Sequence, residues 1–163
     1  RSVSRGLGDV YKRQMRNWSR TVVLWNLAAD PLNDPHTDNG GCPSCQGALT
    51  IDGDSATRNL AYYVIAHASQ FVRPGSVRIA STAPGDRTVT LGEDEQRPKV
   101  YRAQITEHAD VAPNAAFRTP DGKIVLIVAN DSWSRRSISV QYNGRYAELN
   151  LAPGATGTFV WDE

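Results

Sequence analysis

The sharpest change of pattern along the chain falls at residues 22–31, where the apolar run Val22-Val23-Leu24-Trp25 passes through Asn26-Leu27-Ala28-Ala29 into Asp30-Pro31. Residues 22–27 are aliphatic or aromatic with only Asn26 polar, which predicts a strand covered on both faces, as in a parallel sheet. Such a strand needs partners for both faces and both hydrogen-bonding edges. Nothing else in the sequence offers a second run of that kind followed by a helix, so a complete parallel sheet or barrel calls for sequence upstream of it. Residues 28–46 form a long loop rich in Pro, Asn, Asp and Gly, and loops of that length inside compact domains are more often functional than accidental. A short return strand over 47–51 closes at Asp52-Gly53. Asp54 or Ser55 then caps a helix over 56–72, with Leu60, Tyr63, Val64, His67 and Phe71 on one face, and Pro74-Gly75 ends it.

From Ser76 onward the period changes to two. Strands are predicted over 76–80, 100–106, 115–118, 123–129, 137–142, 145–149 and 157–161, the run Lys123-Ile124-Val125-Leu126-Ile127-Val128-Ala129 being a buried one. Turn chemistry separates them. Thr119-Pro120-Asp121-Gly122 sets one turn, Asn143-Gly144 another, and Pro153-Gly154 precedes the last strand. Short strands with turn signals at this spacing predict an antiparallel β-sandwich. Residues 85–98 are polar and charged, and read as an exposed insertion or a long hairpin tip.

Three segments follow from this pattern. Residues 1–14 are Gly, Ser and Arg rich without periodicity, a non-native or disordered tail to be set aside from fold reasoning. Residues 15–74 are one strand-loop-helix unit, and 75–163 the sandwich. The composition, 40% hydrophobic and 21% charged, is that of a globular protein, and the net charge of +1 gives no electrostatic reason to expect nucleic acid or an anionic membrane as partner. No apolar run approaches the roughly 20 residues of a transmembrane helix, and no signal peptide is visible.

Candidate chemistry concentrates in the loop after the first strand. Cys42-Pro43-Ser44-Cys45 lacks the following helix of a redox pair. It also lacks a second pair of zinc ligands, His36 supplying at most one more. A local disulfide between Cys42 and Cys45, or two free thiols, stiffening the loop is the simpler reading, and no metal or cofactor is expected. Asp30, Asp34 and Asp38 have the residue type of a glycosidase carboxylate pair, but aspartates in such loops are far more often turn formers. His67, on the apolar helix face, reads as a hydrogen-bonded core histidine, and His108 has no evident partner. Trp25 is suited to stack on the apolar face of a sugar ring, with its N–H free to reach a hydroxyl, and it suits a core aromatic equally well. The side chain of Asn26 can bond either ligand or backbone.

With those residues laid out, the chain resembles the C-terminal part of glycoside hydrolase family 30, the glucosylceramidase-like enzymes. The likeness runs through Asn17-Trp18, Leu24-Trp25-Asn26-Leu27-Ala28, Pro35-His36 and Gly40-Gly41-Cys42. It continues through Tyr62-Tyr63-Val64-Ile65-Ala66-His67-Ala68-Ser69-Gln70-Phe71-Val72-Arg73-Pro74-Gly75, Arg78-Ile79, Pro120-Asp121-Gly122-Lys123-Ile124-Val125, Val128-Ala129-Asn130-Asp131 and Phe159-Val160-Trp161. It is weakest over 85–98.

The resemblance implies an α/β plus all-β architecture. The last strand-loop-helix of a (β/α)8 TIM barrel would be followed by an antiparallel β-sandwich, the N-terminal barrel lying outside this sequence. It implies retaining hydrolysis of β-glucosides, such as glucosylceramide, by two glutamates placed upstream of Arg16. No Glu occurs here before Glu93, so no catalytic residue is carried over and the fragment alone is expected to be inactive. Trp25 and Asn26 match the sugar subsite at the eighth strand, and the loop from His36 to Cys45 would shape the aglycone side. The expected partners are a carbohydrate or glycolipid substrate and the missing barrel, and the expected location is secreted or periplasmic. The competing class is a non-catalytic carbohydrate-binding or structural sandwich, which would fold from Thr50 onward and bind glycan by itself.

Overall fold

The computed structural model describes Met15, residues 18–35, 44–82, 112–130 and 132–163, and the strand pairing of 88–93 and 101–106. The strands are β1 (Ala28–Ala29), β2 (Leu49–Asp52), β3 (Ser55–Arg58), β4 (Val77–Ile79), β5 (Thr88–Glu93), β6 (Tyr101–Thr106), β7 (Asn114–Arg118), β8 (Lys123–Ala129), β9 (Arg136–Tyr142), β10 (Arg145–Leu151) and β11 (Thr156–Asp162). The helix α1 (Leu60–Ser69) lies between β3 and β4.

The centre is a four-stranded antiparallel sheet in the order β11-β8-β7-β4. Its middle strand β8 carries no interruption in its apolar run, and Ile124, Val125, Ile127 and Val128 are each 1% exposed. Both faces of the sheet are therefore covered. On one, Ala115, Phe117, Val125 and Ile127 meet Val64 of α1, with Ala68, Phe71, Val72 and Val22 around them. On the other, Val128 and Ala112 pack with Leu151, Ile138, Leu149 and Phe159, joining the β9–β10 hairpin to the sheet as the second layer of a sandwich. Burying one large aliphatic side chain is worth about 1.5–3 kcal/mol, so these two clusters dominate the fold. The β9–β10 hairpin follows from Asn143-Gly144, whose φ values of 47° and 76° give the two left-handed positions of a tight hairpin turn.

Three expectations change. Residues 22–27 are not a buried strand. Val22, Leu24 and Asn26 are half-buried while Val23, Trp25 and Leu27 are exposed, so the run is extended but covered on one face only, and the paired strand is the two-residue β1. The reason is partnering: Val22 packs on the core and the backbone meets the returning chain, Ala48 N–H donating to the Asn26 carbonyl at 3.0 Å and Leu49 N–H to the Leu27 carbonyl at 2.9 Å, while Val23, Trp25 and Leu27 stay exposed.

The helix starts at Leu60, not at residue 56, because Ser55–Arg58 folds back on β2 as a hairpin through Gly53 at φ 54°. Asn59 holds the N-cap position in place of Asp54 or Ser55. Of the predicted helix face, Val64, His67 and Phe71 turn inward while Leu60 and Tyr63 are exposed. Finally, Thr88–Glu93 within the expected insertion is a strand paired with β6. The remainder of 85–98, the tail 1–14 and His108 lie outside the described residues.

Candidate functional site

Local backbone chemistry builds the segment that carries Trp25 and Asn26. Gly47 lets the returning chain pass directly against β1: a β-carbon there would lie 2.7 Å from the Ala29 nitrogen and 2.8 Å from the Ala28 Cα and carbonyl carbon. Asn59 fixes the other side. Its Nδ2 donates to the Gly47 carbonyl at 2.9 Å and to Thr50 Oγ1 at 2.8 Å, and its own N–H donates to the Ala48 carbonyl at 2.9 Å. A residue at the head of the helix thus holds the β1–β2 crossing. Neither Gly47 nor Asn59 was singled out from the sequence. The usable signal was an isolated glycine at the start of a strand, which marks a close backbone approach.

Trp25 stands 75% exposed, and the Trp25–Asn26 peptide is cis. Beside it, Asn26 Oδ1 is buried without a hydrogen-bond partner, and a buried polar atom of this kind costs about 1–3 kcal/mol unless something donates to it. The exposed indole can stack on the apolar face of a ring bearing hydroxyls, whereas Asn26 Oδ1 is closed off from solvent. Trp18, also exposed, is covered by the Arg78 guanidinium at 4.1 Å from the ring centre.

The loop beyond β1 is a compact turn. Asp30 Oδ1 accepts from the N–H groups of Leu32 and Asp34, both at 2.8 Å, and the Asp30 N–H donates to the Asp34 carbonyl at 2.9 Å. Asp30 is therefore a turn former with its carboxylate spent on backbone. Asp38, His36 and Cys42 lie outside the described residues. Cys45 is disulfide-bonded, which favours a crosslinked loop over two free thiols; Cys42 is the other cysteine of the chain.

His67 lies against the sheet, as expected of a core histidine. Its Nδ1 is 2.9 Å from Thr158 Oγ1, and that hydroxyl donates to the His67 carbonyl at 3.1 Å. Both contacts are satisfied together when the hydroxyl gives its proton to the carbonyl and Nδ1–H donates to the hydroxyl oxygen. Among the described residues, two ionisable groups of the β7–β8 turn and the start of β8 are shifted. Thr119 holds the Asp121 carboxyl below its ordinary value, and the Asp162 carboxylate holds the Lys123 ammonium above its own. Among the described residues no three His, Cys, Asp or Glu side chains converge as metal ligands.

The described residues form an antiparallel sandwich joined to a short parallel strand pair, a hairpin and a helix, with an exposed aromatic just before the first strand. Residues 100–159, from β6 into β11, match the glycosyl hydrolase family 30 beta sandwich domain. Two curated relatives are similar over stretches of comparable length. The endo-1,6-beta-D-glucanase neg1 of Aspergillus fumigatus is 40% identical over 63 residues, 39% of this chain and 13% of its own length. The endo-1,6-beta-D-glucanase BGN16.3 of Trichoderma harzianum is 35% identical over 68 residues, 42% of this chain and 14% of its own.

Among solved structures, the endo-beta1,6-glucanase BT3312 superposes over 99% of this chain and 31% of its own, at a TM-score of 0.70 and 26% identity. SrfJ from Salmonella typhimurium shares the fold over 99% of this chain and 32% of its own, at a TM-score of 0.65 and 20% identity. The chain thus spans about a third of the enzymes it superposes on.

Proposed function

We propose that this chain is the C-terminal portion of a retaining β-glycosidase of family 30, and that the whole enzyme cleaves β-1,6-linked glucan. The observation that carries the reading is the likeness to an endo-β-1,6-glucanase over 99% of the chain, not over the sandwich alone. That extent supports assigning residues 15–74 to the last strand-loop-helix of a (β/α)8 barrel. Both curated relatives bear the same activity in their names, which favours glucan over the glucosylceramide expected from the sequence.

In this reading the two glutamates of retaining hydrolysis, about 5–5.5 Å apart, come from barrel strands outside the chain. Trp25 forms the wall of a glucosyl subsite at the C-terminal end of the last barrel strand, where barrel enzymes build their sites. Asn26 lies beside it, and His36 with the disulfide loop borders the leaving-group side. The chain itself binds and orients; it supplies neither the acid nor the nucleophile.

The test is hydrolysis by the full-length parent enzyme of a linear β-1,6-glucan, a β-1,3-glucan and glucosylceramide in parallel. Preference for the β-1,6-glucan is expected, and preference for the glycolipid would return the substrate to the glucosylceramidase class. Trp25→Ala in that enzyme should lower kcat/KM by about 30-fold, the roughly 2 kcal/mol of a buried aromatic anchor. An unchanged kcat/KM would remove Trp25 from the subsite.

A further inference from the structure

Asn59 holds the N-cap position of α1, yet its side chain makes no bond to the helix. An N-cap asparagine ordinarily turns its side-chain oxygen onto an N–H of the first helical turn. Here the side chain reaches back along the chain instead, Nδ2 donating to the Gly47 carbonyl and to Thr50 Oγ1, twelve and nine residues earlier. A primary amide carries two donor hydrogens, so both are spent. The main chain of Asn59 is engaged as well. Its N–H donates to the Ala48 carbonyl at 2.9 Å, and its carbonyl accepts from the Tyr62 N–H at 3.0 Å inside the first turn of α1. One residue thus ties the head of the helix to residues 47, 48 and 50 and keeps no N–H for a ligand.

Residues 47–50 are what the Trp25 segment rests on. Ala48 and Leu49 donate to the Asn26 and Leu27 carbonyls, and Leu49 and Thr50 pair with Ala28 and Ala29. Gly47 passes so close to Ala28 and Ala29 that a β-carbon would collide with their backbone, so the crossing has no slack and a shift of residues 47–50 carries β1 with it. The Trp25 indole is largely exposed, and its placement therefore follows the backbone beneath it rather than side-chain packing.

The helix that carries Asn59 is itself firmly seated. Val64 lies among Ala115, Phe117, Val125 and Ile127 of the sandwich, and His67 is bonded to Thr158 of β11. One face of α1 is fixed to the sandwich while its head holds the β1–β2 crossing.

We infer that Asn59 is a positioning residue for the sugar subsite: through it the sandwich, by way of α1, sets the placement of the β1–β2 crossing and so of Trp25. This rests on the reading of Trp25 as a subsite wall. It gives the sandwich a part in orienting substrate without contact to substrate. Diverting the cap side chain away from the helix makes sense on this account, because the crossing has more need of the bonds than the helix, whose stability comes from its packed face.

The test is a double-mutant cycle in the full-length parent enzyme, read as kcat/KM on linear β-1,6-glucan. Asn59→Ala should lower kcat/KM about tenfold, and by no more than Trp25→Ala does, since a residue that acts through the indole cannot cost more than loss of the indole. In the Trp25→Ala background the same substitution should change kcat/KM by less than about twofold. A merely structural role, in which Asn59→Ala only reduces the folded fraction, lowers activity by one factor in both backgrounds. That additive result would overturn the inference, and so would Asn59→Ala equal to wild type.

Thr50→Val keeps the side-chain shape and removes one of the two acceptors, so it repeats the cycle with a milder perturbation if Asn59→Ala does not fold. A loss of about threefold is expected in the otherwise wild-type enzyme and none in the Trp25→Ala background; the same loss in both backgrounds, or none in either, would count against the assignment. Trp25→Ala without effect by itself would remove the subsite reading and this inference with it. A damaging Trp25→Ala combined with an additive cycle removes only the role of Asn59.

Discussion

Asn130, at the end of β8, has no exposed surface, and its side chain joins three separate pieces of chain. Nδ2 donates to the carbonyls of Ser134 at 2.7 Å, Ala152 at 3.0 Å and Leu151 at 3.1 Å, and Oδ1 accepts from the N–H and hydroxyl of Ser132 at 3.1 and 2.6 Å. The end of β8, the β8–β9 loop and the β10–β11 turn meet at one amide. Asn130→Ala removes five contacts and strands carbonyls in a buried site. At about 1 kcal/mol net per bond, with the penalty for carbonyls left without a donor, the loss should be about 3–5 kcal/mol. Against a typical domain stability of about 5–15 kcal/mol that is a large share.

Asn130→Asp is nearly isosteric but accepts only, and it sets a carboxylate against three carbonyl oxygens. At pH 7 it should be the more damaging of the two. Such a carboxyl titrates above its unfolded value, so the folded state binds the proton more tightly and the defect should shrink as pH falls. Urea unfolding followed by tryptophan fluorescence reads both. With a slope of about 2 kcal/mol/M, Asn130→Ala should lower the midpoint by about 1.5–2.5 M. A shift under about 0.5 M, or Asn130→Asp equal to wild type at pH 7, would refute the view that this amide ties the sandwich together.

Gly47→Ala drives a β-carbon into backbone atoms of Ala28 and Ala29 that cannot rotate away, so it should cost about 2–3 kcal/mol and speed amide exchange at Ala48 and Leu49; unchanged exchange there would count against it. Thr158→Val removes both bonds to His67 and should cost about 1–2 kcal/mol, and imidazole nitrogen shifts in the wild type should show the proton on Nδ1, a bare Nδ1 contradicting the assignment. Lys123, raised chiefly by the hydrogen bond it donates to Asp162 and then by that carboxylate's charge, contributes stability that is full below pH 10.5 and is lost as pH rises through its higher folded value. Asp162→Asn should therefore flatten the alkaline decline of Tm, and an unaltered decline would exclude the pair as its source.

The sandwich was legible in the sequence because its signals are local. The unbroken apolar run of β8 needs two covered faces whatever lies around it, and Asn143-Gly144 supplies the left-handed turn that its hairpin requires. The start of the helix was not legible. Ser55-Ala56-Thr57-Arg58 is exposed at every position, so no alternation marks it as a strand; its identity comes from pairing with β2, a contact between residues rather than a property of them. Thr88–Glu93 was obscured in a similar way, its alternating Thr-Val-Thr-Leu core being short and set among charges.

The candidate site divides along the same line. Asp30 as a turn former and His67 as a packed, hydrogen-bonded histidine follow from residue type and placement, and the structure bears both out. What the sequence overstated is the burial of residues 22–27, since apolar content reports what a segment needs and not what this chain provides. Here only one face of the run is met, leaving Val23, Trp25 and Leu27 at 92%, 75% and 75% exposure.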